Sequence, residues 1–389
     1  MQPDFITIGI AAFCLAIWIY LIAARGRFWM ASVRDDAQLP VPAGYPKVTA
    51  VIPARNEADC IAASVRSLLQ QDYAGELSIV VVDDDSSDGT GDIVRRLVAE
   101  VPAGKTLQVI AGLGPPAGWT GKLWALNIGV ARAGESEWTK YVLLTDADIV
   151  HAPDTISWLV RRAQADGRVL TSLMAKLRCD SFAERSHVPA FIYFFEMLYP
   201  FRWVNDPHTR TAGAAGGCML VEYAALHAIG GIASVRNAQI DDCALARQLK
   251  TQGPIWLGLT GRVRSLRPYE RFADVKAMVE RSAYAQLGYS PLLLASAILG
   301  MSLVFVAPVL LALLGEGWTR WLGLGAWALM AISFVPLLRF YQRSPIWGAA
   351  LPAIAFLYMM YTVISAYQHV RRRGGQWKGR VYAGAPSPQ

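Results

Sequence analysis

The sequence predicts an α/β domain with a Rossmann-like sheet, joined to hydrophobic segments that are long enough to cross a membrane. Three observations predict this architecture. Short apolar runs alternate with helix-periodic segments between residues 48 and 148, acidic residues follow several of those runs, and uncharged hydrophobic segments lie near both chain ends. Strands that alternate with helices at this spacing are typical of α/β domains whose sheet is largely parallel.

The hydrophobic residues are concentrated in blocks. Of the 389 residues, 54% are hydrophobic. A helix that crosses the hydrocarbon of a bilayer needs about 20 apolar residues, so each block is a candidate span, with a buried core helix as the alternative. The blocks are Phe5–Ala24, Pro291–Leu314, Trp321–Leu338 and Ile346–Tyr367. The roughly 255 residues between Arg34 and Ser290 contain no such block and are enough for one globular domain.

The charges around the first block predict its orientation. A cleavable signal peptide has positive charge before its apolar stretch, whereas here Asp4 precedes the block and Arg25, Arg27 and Arg34 follow it. Because positive flanks face the cytoplasm, the N-terminus is predicted outside and the α/β domain inside. We therefore predict a multi-pass protein of the inner cell membrane: a transmembrane anchor over 1–27, a cytoplasmic α/β domain over 28–290, membrane helices over 291–368 and a basic cytoplasmic tail over 369–389.

The formal net charge of +7 has two interpretations, nucleic acid and membrane. The basic residues lie beside the apolar blocks, where they usually meet anionic headgroups, so the membrane is the predicted partner and nucleic acid is not. The five cysteines are scattered and lack CxxC spacing, which predicts neither a disulfide framework nor a zinc site. The basic residues of the tail are Arg371, Arg372, Arg373, Lys378 and Arg380.

Polar residues follow the predicted strands. Strands are predicted at 48–52, 77–82, 107–110 and 141–145, and helices at 58–71, from residue 90 and at 122–131. Since a ligand site of such a sheet lies beyond the carboxyl ends of its strands, the acidic residues there are site candidates. Asp146 and Asp148 follow the fourth strand, and an extended backbone would point both the same way. Paired carboxylates suit Mg²⁺ or Mn²⁺, although a solvated turn is the common alternative.

The acidic run from Asp83 to Asp88 has simpler explanations. Ser87 or Asp88 could cap the helix that follows. A calcium loop is excluded, because Arg95 stands where an EF-hand requires Glu. Three adjacent aspartates are nevertheless more than a cap requires, and burying them together needs a cation or several donors.

Gly121 and Lys122 resemble the end of a P-loop but do not form one. Pro116 and Leu123 stand where that motif requires Gly and Ser or Thr. A lysine at the start of a helix can still supply positive charge to a phosphate group.

Taken together, these segments resemble the family 2 glycosyltransferases over about 200 residues. The resemblance lies in the order and spacing of its motifs more than in any single one. Those motifs are Val51-Ile52-Pro53-Ala54-Arg55-Asn56-Glu57, Val81-Val82-Asp83-Asp84-Asp85-Ser86-Ser87-Asp88-Gly89-Thr90, Gly121-Lys122 with Ala125-Leu126-Asn127, Thr145-Asp146-Ala147-Asp148, Gly216-Gly217-Cys218-Met219-Leu220 and Asp241-Asp242-Cys243-Ala244-Leu245. Within the family, Gly118-Trp119-Thr120-Gly121-Lys122 and Trp377-Lys378-Gly379-Arg380 look like the hopanoid-associated membrane glycosyltransferases.

The resemblance implies a GT-A fold, the mixed sheet of nucleotide-diphospho-sugar transferases, and an inverting transfer from a nucleotide-sugar, usually a UDP-sugar. It implies that Asp242, with Asp241 beside it, supplies the general base, and that Mg²⁺ or Mn²⁺ binds Asp146 and Asp148. An ordinary helix start is the alternative for the acidic pair. The other implied site residues are Pro53, Arg55, Glu57, Asp84, Asp85, Lys122 and Asp146 for the donor, and Gly216 and Gly217 on the acceptor side.

Processive members of the family carry Gln-x-x-Arg-Trp after the base, and residues 281–287 here lack it. This absence favours the transfer of a single sugar over the synthesis of a polymer. The resemblance to the hopanoid-associated enzymes implies that the acceptor is a membrane lipid, with a hopanoid-related lipid as the candidate. The alternatives are a polysaccharide-synthase-like enzyme, a nucleotidyltransferase, or a nucleotide-binding component of a transporter. A nucleotidyltransferase normally opens with a glycine-rich loop, and no such loop precedes Asp83. A transporter is expected to carry charged residues within its membrane segments, and the four apolar blocks contain none.

Two further segments carry expectations. The aromatic stretch Ala190–Val204 predicts an interfacial helix near 186–204 that admits a lipid, with a buried core helix as the alternative. His187 and His208 are expected at the surface. The positive charge of the tail predicts that it lies in the cytoplasm, so an even number of C-terminal crossings is expected. Pro308 and Pro352 could break their segments into re-entrant hairpins that do not cross.

Overall fold

The computed structural model describes residues 5–136, 139–371, 376–377 and 380–381. Its contacts divide the chain into two compact units. The helical unit comprises Met1–Ser32, Cys179–Arg202 and Tyr269–Gly375, and the sheet unit comprises Val33–Arg178, Trp203–Pro268 and Gln376–Gln389. Several basic residues of the predicted tail, Arg372, Arg373 and Lys378, lie outside the described residues.

The strands form one sheet of eight and one pair. Their bounds are β1 (Lys47–Ala54), β2 (Leu77–Asp83), β3 (Lys105–Ala111), β4 (Thr139–Thr145), β5 (Ile149–His151), β6 (Leu170–Lys176), β7 (Cys218–Glu222), β8 (Ile255–Ser265), β9 (Gln376–Trp377) and β10 (Arg380–Val381).

The helices have these bounds: α1 (Phe5–Ala23), α2 (Ile61–Leu69), α3 (Thr90–Leu97), α4 (Gly121–Gly134), α5 (Thr155–Ala165), α6 (Phe182–Leu198), α7 (Phe201–Asn205), α8 (Tyr223–Ala228), α9 (Asp241–Leu249), α10 (Phe272–Glu280), α11 (Ala283–Gln286), α12 (Pro291–Met301), α13 (Ala307–Leu314), α14 (Gly317–Phe340) and α15 (Leu351–Val370).

The sheet unit is built on a mixed sheet with the strand order β3-β2-β1-β4-β7-β6-β8-β5. β1 pairs in parallel with β2 and β4, and β2 with β3, whereas β7 is antiparallel to both of its neighbours. The four strands and three helices predicted from the sequence up to residue 145 are therefore present. The predicted helix at 58–71 is shorter, because the chain at Glu57–Cys60 turns before α2 begins.

The core of the sheet unit explains why these segments become strands. Seven of the eight positions of β1 are buried, and Val48 and Ile52 pack with side chains of β2, β4, α2 and α5. A strand covered on both faces is expected to be continuously apolar. Helix α4 approaches the sheet closely at Gly129, where a Cβ atom would lie 2.3 Å from Val51 Cγ1. This close approach fixes the start of α4, and with it Lys122, beside the ends of β1 and β4.

The helical unit contains four segments that are long and apolar enough to cross a membrane: Phe5–Ala23, Pro291–Leu314, Gly317–Phe340 and Pro345–Val370. α12 and α13 form one of these segments, continuous through a π-helical stretch at Ser302–Val306. Helix α14 is longer than the predicted block, and it packs against α1 through Thr319 and Thr7, whose hydroxyls lie 3.2 Å apart.

Helix α6 covers most of the aromatic stretch predicted as interfacial. Its first turn is fixed by a capping box, in which Ser181 accepts from Glu184 N and Glu184 accepts from Ser181 N. The expectation of a surface His187 is wrong: its side chain is buried, and its ring stacks on Tyr358 and Tyr361 of α15. His208 is exposed as expected. Whether α6 contacts a lipid surface stays a prediction.

Candidate active site

The candidate site lies in the sheet unit, where β1, β2 and β4 end and helices α4 and α9 begin. Parallel strands place their carboxyl ends at one edge of the sheet, and the helix starts add unpaired backbone N–H groups there. β4 ends immediately before Asp146, and α9 begins with Asp241 and Asp242. Thr120 caps α4 by accepting from Leu123 N at 3.2 Å, which fixes the first turn that carries Lys122.

Lys122 connects the two acidic motifs. Its Nζ lies 2.9 Å from an oxygen of Asp146 and 3.6 Å from an oxygen of Asp241. The Lys122 side chain is only 19% exposed, so its charge depends on these carboxylates. Burial opposes the charged form, but Asp146 and Asp241 outweigh it and raise the pKa of Lys122 above its ordinary value. One ammonium group therefore joins motifs that stand almost a hundred residues apart.

Asp242 is held by backbone donors rather than by a direct salt bridge. Its Oδ2 accepts from Gly216 N at 3.0 Å and its Oδ1 accepts from Cys243 N at 2.7 Å. Burial, and then the negative charge of Asp241, raise the pKa of Asp242 to about 6, against the opposing effects of Lys122 and the two N–H donors. A carboxylate with this pKa is ionised at neutral pH and is more basic than an ordinary aspartate.

The space beside these groups is partly apolar. The pocket beside these groups is lined by Lys122, Asp146, Asp241, Asp242 and Gly216 together with apolar side chains. A Cβ atom on Gly216 would lie 3.5 Å from Asp242 Oδ2 and 3.6 Å from Lys122 Nζ, so the absent side chain leaves these polar atoms open to that space. The other lining residues are Leu123, Leu126, Leu144, Thr145, Met219, Ile232, Val235 and Leu245.

The second aspartate of the Asp146-Ala147-Asp148 motif has different partners. Residues 146–149 form a tight turn in which Ile149 N donates to Asp146 O at 3.2 Å, so the expectation of an extended backbone here is wrong. Asp148 Oδ2 accepts from Ser265 Oγ and from Arg267 Nε, both at 3.0 Å. The turn thus directs Asp146 toward Lys122 and Asp148 toward Arg267.

Arg267 also binds Glu57, which the sequence assigned to the donor pocket. Its Nη2 donates to the two carboxylate oxygens of Glu57 at 2.8 and 3.2 Å. One guanidinium therefore fixes a residue that follows β1 and a residue that follows β4. Sequence reasoning missed Arg267 and Ser265, because they lie at the end of β8, more than a hundred residues after Asp148, with no motif around them.

The other donor-side residues lie at the ends of β1 and β2. The Arg55 Nη1 group donates to the backbone oxygens of Asp84 and Asp85 and lies 3.7 Å from Asp84 Oδ2. Asp84 is only 1% exposed, whereas the side chain of Asp85 is 77% exposed. Pro53 is the penultimate residue of β1, in register with Val82. Arg55 therefore supplies the cation that the acidic run was expected to need.

Asp88 bonds to the first residue of α3, but the N-cap position of that helix is Gly89, so the capping role considered for Ser87 or Asp88 is wrong. Its Oδ1 accepts from Thr90 N at 3.0 Å at the start of α3, and its Oδ2 accepts from Ala58 N at 2.9 Å. The last aspartate of the acidic run is thus structural, since it joins α3 to the loop after β1.

A supporting layer lies under the site. Thr145 Oγ1 donates to Gly217 O at 2.8 Å and lies 3.0 Å from His151 Nε2. A Cβ atom on Gly217 would lie 3.1 Å from Ile149 Cδ1, so a side chain there would displace the turn that carries Asp148. Burial lowers the pKa of His151 to about 4, which makes it neutral at physiological pH. We therefore assign Gly217 and His151 to support of the site.

The residues present fit a divalent cation. Burial, and then the negative charge of Asp146, raise the pKa of Asp148, and a cation bound beside the two carboxylates would offset both effects. Among the described residues, no three Asp, Glu, His or Cys side chains form a complete metal cage. Mg²⁺ usually binds one or two carboxylates and takes its other ligands from water and substrate phosphates. Asp146 and Asp148 fit that partly open arrangement.

Comparison with known proteins identifies the family of the domain that contains these residues. Residues 49–230 match the family model described as glycosyl transferase family 2. The chain therefore contains a family 2 glycosyltransferase domain. The probable glycosyltransferase YdaM of Bacillus subtilis strain 168 is 39% identical over 89 residues, which are 23% of this chain and only 20% of that relative.

Two solved structures can be compared with this chain. The mannosyltransferase PcManGT from Pyrobaculum calidifontis, in complex with GDP-Man and Mn2+, is similar over 94% of this chain and 99% of its own, with 20% identity and a TM-score of 0.55. TarS 1-349 of S. aureus, in complex with UDP-GlcNAc, is similar over 84% and 92%, with 14% identity and a TM-score of 0.41. The first likeness confirms the predicted GT-A-like fold with its mixed sheet, and the family model confirms the predicted glycosyltransferase class of the domain.

The role of Arg267 can be tested through stability. In Arg267→Gln, the buried carboxylates of Glu57 and Asp148 lose their shared cation, so we expect the free energy of unfolding to fall by about 1–3 kcal/mol. Arg271→Gln is the matched control, because the Arg271 side chain is 81% exposed and its ion pair is with Asp274, three residues away. Thermal unfolding of both variants in detergent measures the effect. Equal unfolding temperatures would contradict a structural role for Arg267.

Proposed function

We propose that this chain is a membrane-bound, metal-dependent, inverting glycosyltransferase that moves one sugar from a nucleotide-sugar to a lipid. Its domain faces the cytoplasm, and the donor is expected to be UDP-linked. A hopanoid-related lipid is the proposed acceptor, on the basis of the Gly118–Lys122 and Trp377–Arg380 sequence resemblance. The four long apolar helices support membrane association.

The observation that carries the proposal is the position of Lys122. Its ammonium bridges Asp146, at the end of a parallel strand, and Asp241, which precedes Asp242. The donor-side motif and the candidate base are therefore parts of one charge network. A transfer reaction needs this arrangement, because the group that holds the leaving diphosphate and the group that activates the acceptor must act on the same carbon.

The proposed reaction is a single displacement at C1 of the donor sugar. The acceptor hydroxyl oxygen forms a bond to C1 while the bond from C1 to the diphosphate oxygen breaks, and that electron pair leaves with the nucleotide. Asp242 accepts the hydroxyl proton. The N–H groups of Gly216 and Cys243 orient its carboxylate, and the raised pKa makes it a better proton acceptor.

Asp146 and Asp148 would hold the metal ion. When bound, Mg²⁺ or Mn²⁺ would neutralise the charge that develops on the leaving diphosphate. Lys122 would add positive charge at the same edge, and Arg267 would keep Asp148 in place. The solved mannosyltransferase that shares this fold contains Mn2+ together with its nucleotide-sugar, which supports the proposal.

The base can be tested with Asp242→Asn. The amide has the same shape but cannot accept the proton, so we expect the transfer rate to fall by about 10²- to 10⁴-fold. Nucleotide release from a panel of UDP-sugars and GDP-mannose, with host lipid extract as acceptor, measures the rate. Asp92→Asn is the control, since Asp92 is exposed and forms its ion pair with Arg95, three residues away. Near-normal turnover of Asp242→Asn with intact donor binding would contradict the assignment.

The pH dependence provides a second test of the base. Because Asp242 must be ionised to accept a proton, and because its pKa is raised to about 6, the transfer rate should fall tenfold per pH unit below about pH 6. Asp241→Asn removes a charge that raises this pKa, so the residual activity of that variant should decline only at lower pH. A rate that stays constant down to pH 4.5, in protein that remains folded, would exclude Asp242 as the base.

The metal site can be tested by activity and by binding. We expect excess EDTA to abolish transfer, and Asp148→Ala to weaken Mn²⁺ binding by about tenfold or more, because a carboxylate ligand is lost. Manganese binding followed by electron paramagnetic resonance separates this effect from catalysis. Asp92→Ala, in the exposed pair with Arg95, serves as the control. Full activity in EDTA would contradict metal dependence.

A further inference from the structure

A second and more open cleft lies in the sheet unit beside the pocket that contains Asp242. It is bounded by the 3₁₀ helix at Gly231–Val235, by the loop that follows it and by helix α9, and we call it the α9 cleft. Its volume of about 410 Å³ is within the range of sites that bind small molecules. Val235 lines both the α9 cleft and the active-site pocket, so the two spaces are neighbours.

Helix α9 connects the cleft to the acidic pair. Asp241, Ala244 and Gln248 lie on one face of the helix, because they stand three and seven residues apart. Asp241 lines the active-site pocket, whereas Ala244 and Gln248 line the cleft. Arg247, which also lines the cleft, stands five residues after Asp242, or about 7.5 Å further along the helix axis. A molecule that presents a hydroxyl group to Asp242 can therefore reach Arg247 with another of its groups.

The cleft carries four polar side chains that the fold does not use. Within the part of the chain that the structure describes, none of the four makes a side-chain hydrogen bond or an ion pair, and no carboxylate lines the cleft. The cations of the candidate active site differ, because Lys122, Arg55 and Arg267 are each held by carboxylates. The four residues are Arg236, Asn237, Arg247 and Gln248, all of them exposed.

These side chains suit an anionic group. Arg236 and Arg247 bring two positive charges to one cleft, and a guanidinium group binds phosphate or carboxylate oxygens with paired N–H donors. The amides of Asn237 and Gln248 can add further donors. The diphosphate of the donor is not the expected occupant, because Asp146 and Asp148 are not among the described residues that line the cleft.

The loop before α4 gives the cleft an apolar rim. A Cβ atom on Gly118 would lie 3.7 Å from Asn237 Oδ1, so this loop borders the cleft. Trp119 packs edge-on against Trp124 with ring centroids 5.1 Å apart, and Trp124 Nε1 donates to Leu113 O at 3.0 Å. Leu113 itself is 77% exposed. The cleft thus joins cationic side chains to exposed apolar surface, a combination that suits an amphiphilic ligand.

From these observations we propose that the α9 cleft is the acceptor site, and that Arg236 and Arg247 bind an anionic group of the lipid acceptor, a phosphate or a carboxylate. The accepting hydroxyl lies at Asp242 and the anionic group lies one to two helical turns further along α9, so both belong to the headgroup. The apolar rim contacts the alkyl part of the lipid. The proposal rests on the proposed function, and it narrows the acceptor to a lipid that carries such a group.

Acceptor specificity provides the first test. Host lipid extract is separated by anion exchange into neutral and anionic fractions, and transfer from radiolabelled UDP-sugars and GDP-mannose to each fraction is measured in neutral detergent. We expect transfer to the anionic fraction. The double variant Arg236→Gln/Arg247→Gln should raise the apparent KM for that fraction by about tenfold or more, because charged hydrogen bonds are lost. Its kcat and its KM for the donor should stay within about twofold of the parent values.

Two further variants serve as controls for charge. Arg247→Lys keeps the positive charge and should retain most of the acceptor affinity. Arg96→Gln removes the charge of an exposed arginine on α3, outside the cleft, and should leave the acceptor KM unchanged. Transfer to the neutral fraction, or an unchanged acceptor KM in the double variant, would overturn the proposal. An equal loss with both fractions that appears only in anionic vesicles would assign the arginines to the membrane surface and would also overturn it.

A binding measurement separates this proposal from the proposed function. Equilibrium dialysis of the full chain with radiolabelled glycerol 3-phosphate, in saturating UDP and Mn²⁺ to fill the donor site, measures the anion site without turnover. We expect the parent and Arg96→Gln to bind the probe, and Arg236→Gln/Arg247→Gln to bind it about tenfold more weakly or less. Competition by glycerate, with glycerol as the uncharged control, distinguishes a carboxylate from a phosphate site.

The two measurements fail in different ways. A parent chain that binds glycerol 3-phosphate through the two arginines but transfers no sugar would contradict the proposed function and keep the cleft as an anion site. A parent chain that transfers sugar to lipid but binds neither glycerol 3-phosphate nor glycerate would overturn the assignment of the cleft and leave the proposed function intact.

Discussion

The ammonium group of Lys122 is the contact on which the rest of the site depends. Asp146, Asp241 and Asp242 come from two distant parts of the chain, and three carboxylates at one edge of a sheet would repel one another if no cation lay between them. Lys122 lies within 2.9 Å of Asp146 and 3.6 Å of Asp241, at the start of a helix that Gly129 holds against β1. The fold can therefore assemble these groups before any ligand binds.

A second cation, Arg267, repeats this arrangement beside the ends of β1 and β4. Arg267 holds Glu57 and Asp148 as Lys122 holds Asp146 and Asp241. The turn at residues 146–149 separates the two aspartates, so that each belongs to a different ion pair. Such prior organisation of charged groups is what makes electrostatic catalysis effective in a folded protein.

The sequence predicted the first half of the sheet and most of the site, for reasons that the structure makes clear. β1, β2 and β4 are buried on both faces, so their apolar runs were continuous and their polar ends stood out. Arg267 could not be found in this way, because its partners are brought near it only by the pairing of β5 with β8. His187 was misplaced for a similar reason: the aromatic rings that bury it belong to α15, about 170 residues later in the chain.

Hydropathy alone does not determine topology here, because it measures the composition of a segment and not the position of its ends. Pro345–Val370 and Gly317–Phe340 have nearly the same mean hydropathy, 1.7 and 1.8. Both also make polar contacts with other helices of the helical unit: Ser333 of α14 bonds Tyr193 of α6, whereas α15 meets Ser302 between α12 and α13, His187 of α6 and Glu280 of α10. Hydrogen bonds across packed helices satisfy polar groups that a segment's mean hydropathy only averages. The contacts, and not the composition alone, therefore explain how Tyr, Ser and Gln side chains are accommodated in these two apolar segments.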